Sequence, residues 1–194
     1  MVRFLYKGGV MDYIVGYLWI ATWIIFWLIG RKAEYKKKLC NRGIRVIKGE
    51  YYRFFTGLLL HCNWFHLLVN VLGMYFTIRF VGGQIATIPL LLFSAAGATL
   101  SNIFFSVGYR ESESIGGSLV VFVLLGLVCS LQLFCDDARP FTLDSLETQW
   151  MLGYAILSNI PLFSKNSSTL VCHVIAFVVG VILGSVCIGL KLMG

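Results

Sequence analysis

Long apolar runs broken by short polar punctuation set the organisation of this chain. About 20 apolar residues carry a helix across a bilayer, and the pattern predicts six such helices. The first runs over about residues 13–30 and stops at Arg31-Lys32; the second covers 63–78 and stops near Arg79. The third, 86–108, is followed by the polar stretch from Tyr109 to Ser114, and the fourth, 116–134, by Asp136-Asp137. The fifth, 150–163, is short for a full span and contains Pro161, while the sixth runs over 169–190. A cleaved signal peptide is not expected at the first run, which exceeds the usual h-region of about 7–15 residues and has no A-x-A site after it. The expectation is an all-α membrane protein, a six-transmembrane-helix bundle in one domain over residues 1–194. No internal repeat or low-complexity tract interrupts it.

The connection over residues 31–61 breaks the rhythm. It is basic at one end and aromatic at the other, where Tyr51-Tyr52-Arg53-Phe54-Phe55 stands. Such a segment suits the membrane interface, with Tyr and Arg at head-group level.

Composition agrees with the pattern. The chain is 58% hydrophobic and 13% charged, with mean hydropathy +0.83, whereas soluble domains lie nearer about 45–50% and 25%. The net charge of +7 raises nucleic acid as a partner, but nine of the sixteen Lys/Arg fall between Arg31 and Arg53. A juxtamembrane cluster of that kind meets anionic lipid head groups or simply faces water. The lipid bilayer is therefore the expected partner, and nucleic acid is not. Cys62, Cys129, Cys172 and Cys187 sit in apolar runs as small hydrophobes, so the six cysteines predict no disulfide framework.

Against this background a few polar residues stand out: His66 and Asn70 in the second run, Ser118 opening the fourth, and His173 in the sixth. Polar groups at membrane depth cost free energy and usually face a bundle interior or a wet cavity. His66 and Asn70 are spaced i,i+4 and project from one face together with Cys62, where two donors could hold an oxyanion. His61, five residues from His66, points elsewhere, toward the helix mouth. Ser118 follows Gly116-Gly117, and its early helical position exposes a backbone N–H as a third donor. His173 begins a face with Ala176, Gly180 and Gly184, a small-residue ladder suited to tight helix contact. If the neighbour is the fourth helix, the imidazole reaches the Ser118 hydroxyl. No Asp or Glu falls inside a predicted run, so the pattern supports a Ser–His dyad in which packing, with Phe122 as a candidate to stack, orients the histidine. Each feature also has a plain structural reading: a hydrogen-bonded core histidine, a helix cap, a packing ladder. A zinc site from His61, Cys62, His66, Cys172 and His173 is disfavoured because the spacing lacks the H-E-x-x-H pattern and a nearby Glu. No broken-helix pair recurs in two halves, as a transporter of repeated architecture would need.

Taken in order, these motifs resemble the rhomboid intramembrane serine proteases. The His61-x4-His66-x3-Asn70 pattern is similar to that family's second-helix signature, and Gly116-Gly117-Ser118 resembles its Gly-x-Ser nucleophile motif. Cys172-His173 with Ala176 and Gly180 resembles its last-helix motif, and Tyr52-Arg53 stands where the family often has Trp-Arg. Separations of 52 residues from His66 to Ser118 and 55 from Ser118 to His173 suit the compact six-helix core. The resemblance, over about Glu50 to Gly184, implies a rhomboid-like bundle with Ser118 as nucleophile and His173 as general base, then acid. It implies His66, Asn70 and the Ser118 N–H as the oxyanion site, with Gly116, His61, Phe122 and Arg53 supporting. Substrates would be single-pass transmembrane proteins cut in or near their helices; no cofactor or metal is implied. The location would be a multi-pass position in the plasma membrane of a prokaryote, with organelle membranes also open.

Three positions depart from the family pattern. Leu119 replaces the Gly that usually follows the serine, Ala176 replaces a Gly, and Tyr52 replaces a Trp. Leu119 tightens the space around the nucleophile and keeps open an inactive rhomboid-like protein that binds transmembrane helices without cutting them. Against that alternative, both Ser118 and His173 are present. Orientation sets two arguments against each other: the family's topology leaves five Lys/Arg inside (Arg3, Lys7, Arg79, Arg139, Lys191) and eleven outside, where the positive-inside rule prefers the reverse. The family topology is the expectation adopted.

Overall fold

A computed structural model describes residues 13–160 and 168–192, apart from the side chains of residues 46 and 47. Arg3, Lys7, Pro161 and the expected helix end at Phe163 lie outside the described residues. Helix follows the apolar runs closely: α1 (Ile14–Gly30), α5 (Trp64–Val81), α6 (Thr87–Gly108), α7 (Ser118–Phe134) and α9 (Ser168–Gly189). By length and composition α5, α6 and α9 are long and apolar enough to cross a membrane. The 17-residue α1 and α7 are apolar but shorter.

The fifth expected helix is displaced. α8 spans Leu146–Leu157, beginning before the predicted residue 150 and ending earlier than expected. Its start follows Ser145 and carries Glu147 in the first turn, where a carboxylate suits the helix dipole. Glu147 pairs with Arg79 at 3.2 Å and Arg139 at 3.1 Å. An acidic residue therefore does lie within a helix, but at the far end of α5 from His66. The helix closes because Ser158 Oγ and Asn159 Nδ2 donate to the carbonyls of Tyr154 and Ala155, at 2.7 and 2.8 Å.

Residues 31–61 are more structured than an interfacial loop. They form α2 (Ala33–Leu39), a short strand β1 (Asn41–Arg42), α3 (Gly43–Ile47), α4 (Arg53–Thr56) and a 3-10 turn at Gly57–Leu59. β1 pairs antiparallel with β2 (Glu113–Ser114), matching Asn41 to Ser114 and Arg42 to Glu113. Arg42 and Glu113 also form an ion pair. The aromatic stretch is inverted relative to a soluble segment: Tyr51, Tyr52 and Phe55 are exposed while Arg53 is buried. The Arg53 guanidinium donates to Glu50 at 2.8 Å and to the carbonyls of Lys37 and Cys40 at 3.1 and 3.0 Å. One buried cation thus ties α4 to the end of α2. Beneath it, Asn41 Nδ2 donates to Asn102 Oδ1 and Ser106 Oγ, Ser114 Oγ donates to Asn102 Oδ1, and Asn102 Nδ2 donates to Phe54 O. This polar cluster, satisfied within itself, fastens the segment to α6.

The most extensive helix pair is α7 with α9. Gly126 faces the backbone of Phe177 to Val181, and Gly180 faces the Val123 carbonyl, so closely that a Cβ at either position would overlap the opposite main chain. Ser130 Oγ reinforces the seam by donating to Val181 O at 2.8 Å. The small-residue ladder foreseen on the last helix is thus a backbone-to-backbone seam with the fourth apolar run.

Gly180→Leu should therefore lower stability by about 1–3 kcal/mol or more, since a side chain forced into a filled seam strains both helices. Gly189→Ala, which would meet nothing within 4 Å, should leave thermal unfolding in detergent unchanged; equal effects would contradict the seam. A second expectation concerns acid. The Arg53 hydrogen bond holds the Glu50 carboxyl below its ordinary value of 4.5. Stability from that pair is present above the ordinary value and is lost as pH falls through the lowered one. Amide exchange across residues 37–56 should accelerate on acidification, and Glu50→Gln should exchange fast already at neutral pH. Indistinguishable profiles would show that the pair does not hold the segment.

Candidate active site

Four helix starts and ends meet at one end of the bundle. α5 begins there under Asn63, whose side chain accepts from the His66 N–H at 2.8 Å and caps the helix. The cap fixes the turn that carries His66, and Asn70 follows one turn later on the same face. Asn70 is buried, and its Oδ1 accepts from the Tyr154 hydroxyl at 2.8 Å. With Oδ1 so engaged, Nδ2 is left to point elsewhere and has no acceptor among the described residues.

Gly116 determines where these nitrogens converge. Its φ is +139°, a region that side chains rarely adopt, and its N–H donates to Gly57 O at 3.0 Å. A Cβ built on it would stand 2.6 Å from His66 Cε1, 2.9 Å from His66 Nε2 and 3.7 Å from Asn70 Nδ2. Only glycine fits there on both counts. The same numbers mean that His66 Nε2 and Asn70 Nδ2 approach one point, two residues before Ser118. Gly117 packs against the Trp23 indole, which a Cβ would overlap.

Ser118 is the first residue of α7, so its N–H has no intrahelical acceptor. Its Oγ lies 3.0 Å from His173 Nε2. Phe122, one turn along, stacks on the imidazole with ring centroids 4.3 Å apart and planes within 13°. Both Ser118 and His173 are buried, yet both line a cavity of about 580 Å³ together with His66, Asn70, Gly116 and Leu119. Cys62 lines it too, although it precedes the Asn63 cap, so helical spacing does not account for its direction. Chemically, this is a hydroxyl beside a ring nitrogen, with His66 Nε2 and Asn70 Nδ2 close to Gly116, at the wall of a cavity.

One expected supporting residue sits differently from the sequence reading. His61 is buried rather than at the helix mouth: its ring meets His66 edge-on at 5.2 Å and Trp23 at 5.5 Å, and its Nε2 accepts from Gly117 N at 3.4 Å. Five residues from His66, it lies before the helix begins, so helical spacing does not govern its direction. Arg53 does not line the cavity; it holds the segment above. Four of the residues considered for zinc, Cys62, His66, Cys172 and His173, line the cavity, but no group of three or more His, Cys, Asp or Glu side chains suited to a metal ion occurs among the described residues.

The sequence reading overlooked three neighbours. Asn159 Oδ1 lies 2.8 Å from His173 Nδ1; Tyr154 holds Asn70 and has its ring 5.6 Å from Phe122; Trp23 floors Gly117 and His61. A signal for Asn159 was available, because Ser158-Asn159 is a polar pair inside an apolar run, the same criterion that singled out His66 and Asn70. Tyr154 and Trp23 carried none, being ordinary members of apolar helices.

Comparison with known protein families matches the rhomboid domain over residues 48–189, which includes His61, His66, Asn70, Ser118 and His173. No curated protein matches the chain significantly. The match covers most of the chain and, with three helices among the described residues long and apolar enough to cross a bilayer, makes this an integral membrane protein that belongs to the rhomboid family.

Proposed function

We propose that this protein is an intramembrane serine endopeptidase that cuts single-pass membrane proteins in or near their transmembrane helices. The observation that carries the reading is the 3.0 Å separation of Ser118 Oγ and His173 Nε2, beside nitrogens that converge near Gly116. Family membership supports it, since rhomboids are generally serine proteases. α1 and α7, with α8, complete a six-span bundle in this reading, with residues 31–61 on the non-cytosolic side.

The Ser118 oxygen attacks the scissile carbonyl carbon as His173 Nε2 takes the hydroxyl proton. The resulting oxyanion accepts hydrogen bonds from the Ser118 N–H, His66 and Asn70. Such donors count for more in a water-poor site than in water. Collapse breaks the C–N bond, and the imidazolium gives its proton to the departing amine. Water entering through the cavity then hydrolyses the acyl-Ser118 ester, with His173 again the base. Small residues that loosen the substrate helix would favour exposure of the bond. Neither metal nor cofactor has a role in this sequence.

A second reading rests on Leu119, which lines the cavity where the family usually has Gly. It makes the protein a helix-binding relative without peptidase activity. A serine-directed fluorophosphonate separates the two. Wild type should label and should cleave a model transmembrane substrate, while Ser118→Ala and His173→Ala abolish both. Asn70→Ala should slow cleavage roughly 100-fold, the scale of losing one oxyanion donor. Binding of transmembrane helices with neither labelling nor cleavage would establish the second reading instead.

A further inference from the structure

We infer that Asn159 is a positioning residue that fixes His173 in the tautomer protonated on Nδ1, an assignment that rests on the proposed Ser118–His173 chemistry. At the end of α8 the last carbonyls lose their helical partners. Asn159 Nδ2 takes one of them, donating to Ala155 O at 2.8 Å. That bond orients the amide independently of the histidine, because only the NH2 end can donate to a carbonyl. Oδ1 is thereby turned to His173 Nδ1, 2.8 Å away.

An amide oxygen accepts and cannot donate. The ring nitrogen facing it must carry the proton. A neutral imidazole has one N–H, so Nε2 is left with its lone pair directed at Ser118 Oγ, 3.0 Å off. Phe122 fixes the plane of the ring by stacking, but stacking is indifferent to which nitrogen is protonated. Asn159 supplies that missing choice. During attack the Ser118 proton moves to Nε2 while Nδ1–H stays on Oδ1, and the Nε2 proton then leaves with the amine. Asn159 exchanges no proton and touches no reacting atom.

The test uses the full chain in detergent, with 15N-labelled histidine assigned through a His173 variant, and the fluorophosphonate labelling rate. In wild type the His173 shifts should report Nδ1–H. Asn159→Leu should give mixed tautomers and label roughly tenfold slower, the scale of one lost hydrogen bond, measured at a temperature where this variant, which also loses its bond to Ala155 O, stays folded. Asn159→Asp keeps the acceptor and should restore most of the rate and the single tautomer. Should Asn159→Leu fail to fold, the wild-type shifts and Asn159→Asp still decide the matter. Nε2–H in wild type, or a leucine variant with unaltered tautomer and rate, overturns the assignment. A tautomer that depends on Asn159 in a protein that never takes the probe would support the positioning bond while removing the peptidase reading.

Discussion

The contact between the backbones of α7 and α9 is the constraint on which the rest of the site depends. Helices with ordinary side chains between them sit about 8–10 Å apart. Here Gly126 and Gly180 remove that padding, and each faces the opposite main chain directly. The seam sets the separation of Ser118, two turns before Gly126, from His173, two turns before Gly180. A histidine has limited reach, and a 3.0 Å approach to Ser118 Oγ requires the helices to be this near. Stacking on Phe122 and the bond to Asn159 then set the ring within the space that the seam defines.

A second layer, built from polar rather than apolar contacts, holds the approach to the site. The buried Arg53 gathers the ends of α2 and α4, and the Asn41–Asn102–Ser114 cluster pins β1 and β2 onto α6. That pinning runs on into the chain: Ser114 lies two residues before Gly116, whose left-handed backbone brings it against His66 and Asn70. Buried polar networks are costly unless complete, and this one is closed by carbonyls and amides from four elements. The exposed aromatics Tyr51, Tyr52 and Phe55 face outward from the same layer.

How far the sequence discloses this depends on the kind of information involved. Apolar run length locates α1, α5, α6, α7 and α9 to within a few residues, because it reflects a property each segment has alone. Hydropathy misplaces α8 because its start carries the Glu147 ion pairs with Arg79 and Arg139, and Ser158 and Asn159 close its end through local hydrogen bonds that hydropathy does not register. The i,i+4 spacing of His66 and Asn70 was legible as a shared face, and the ladder on α9 as a close helix contact. His61 escapes that logic, since it precedes α5 and helical geometry does not govern its direction. The order within residues 31–61 was hidden for a further reason: it comes from pairings with Glu113, Asn102 and Ser114, far along the chain. Asn159 combines both difficulties, a helix end and a partner on another helix.

Enlarging residue 180 stepwise shows whether seam closeness puts His173 on Ser118. The rate of Ser118 acylation would be followed through Gly180→Ala and Gly180→Val in protein whose circular dichroism stays helical. If the seam sets the spacing, the rate falls with each added carbon while the residues of the site remain unchanged. A rate that stays constant across folded members of the series would contradict it.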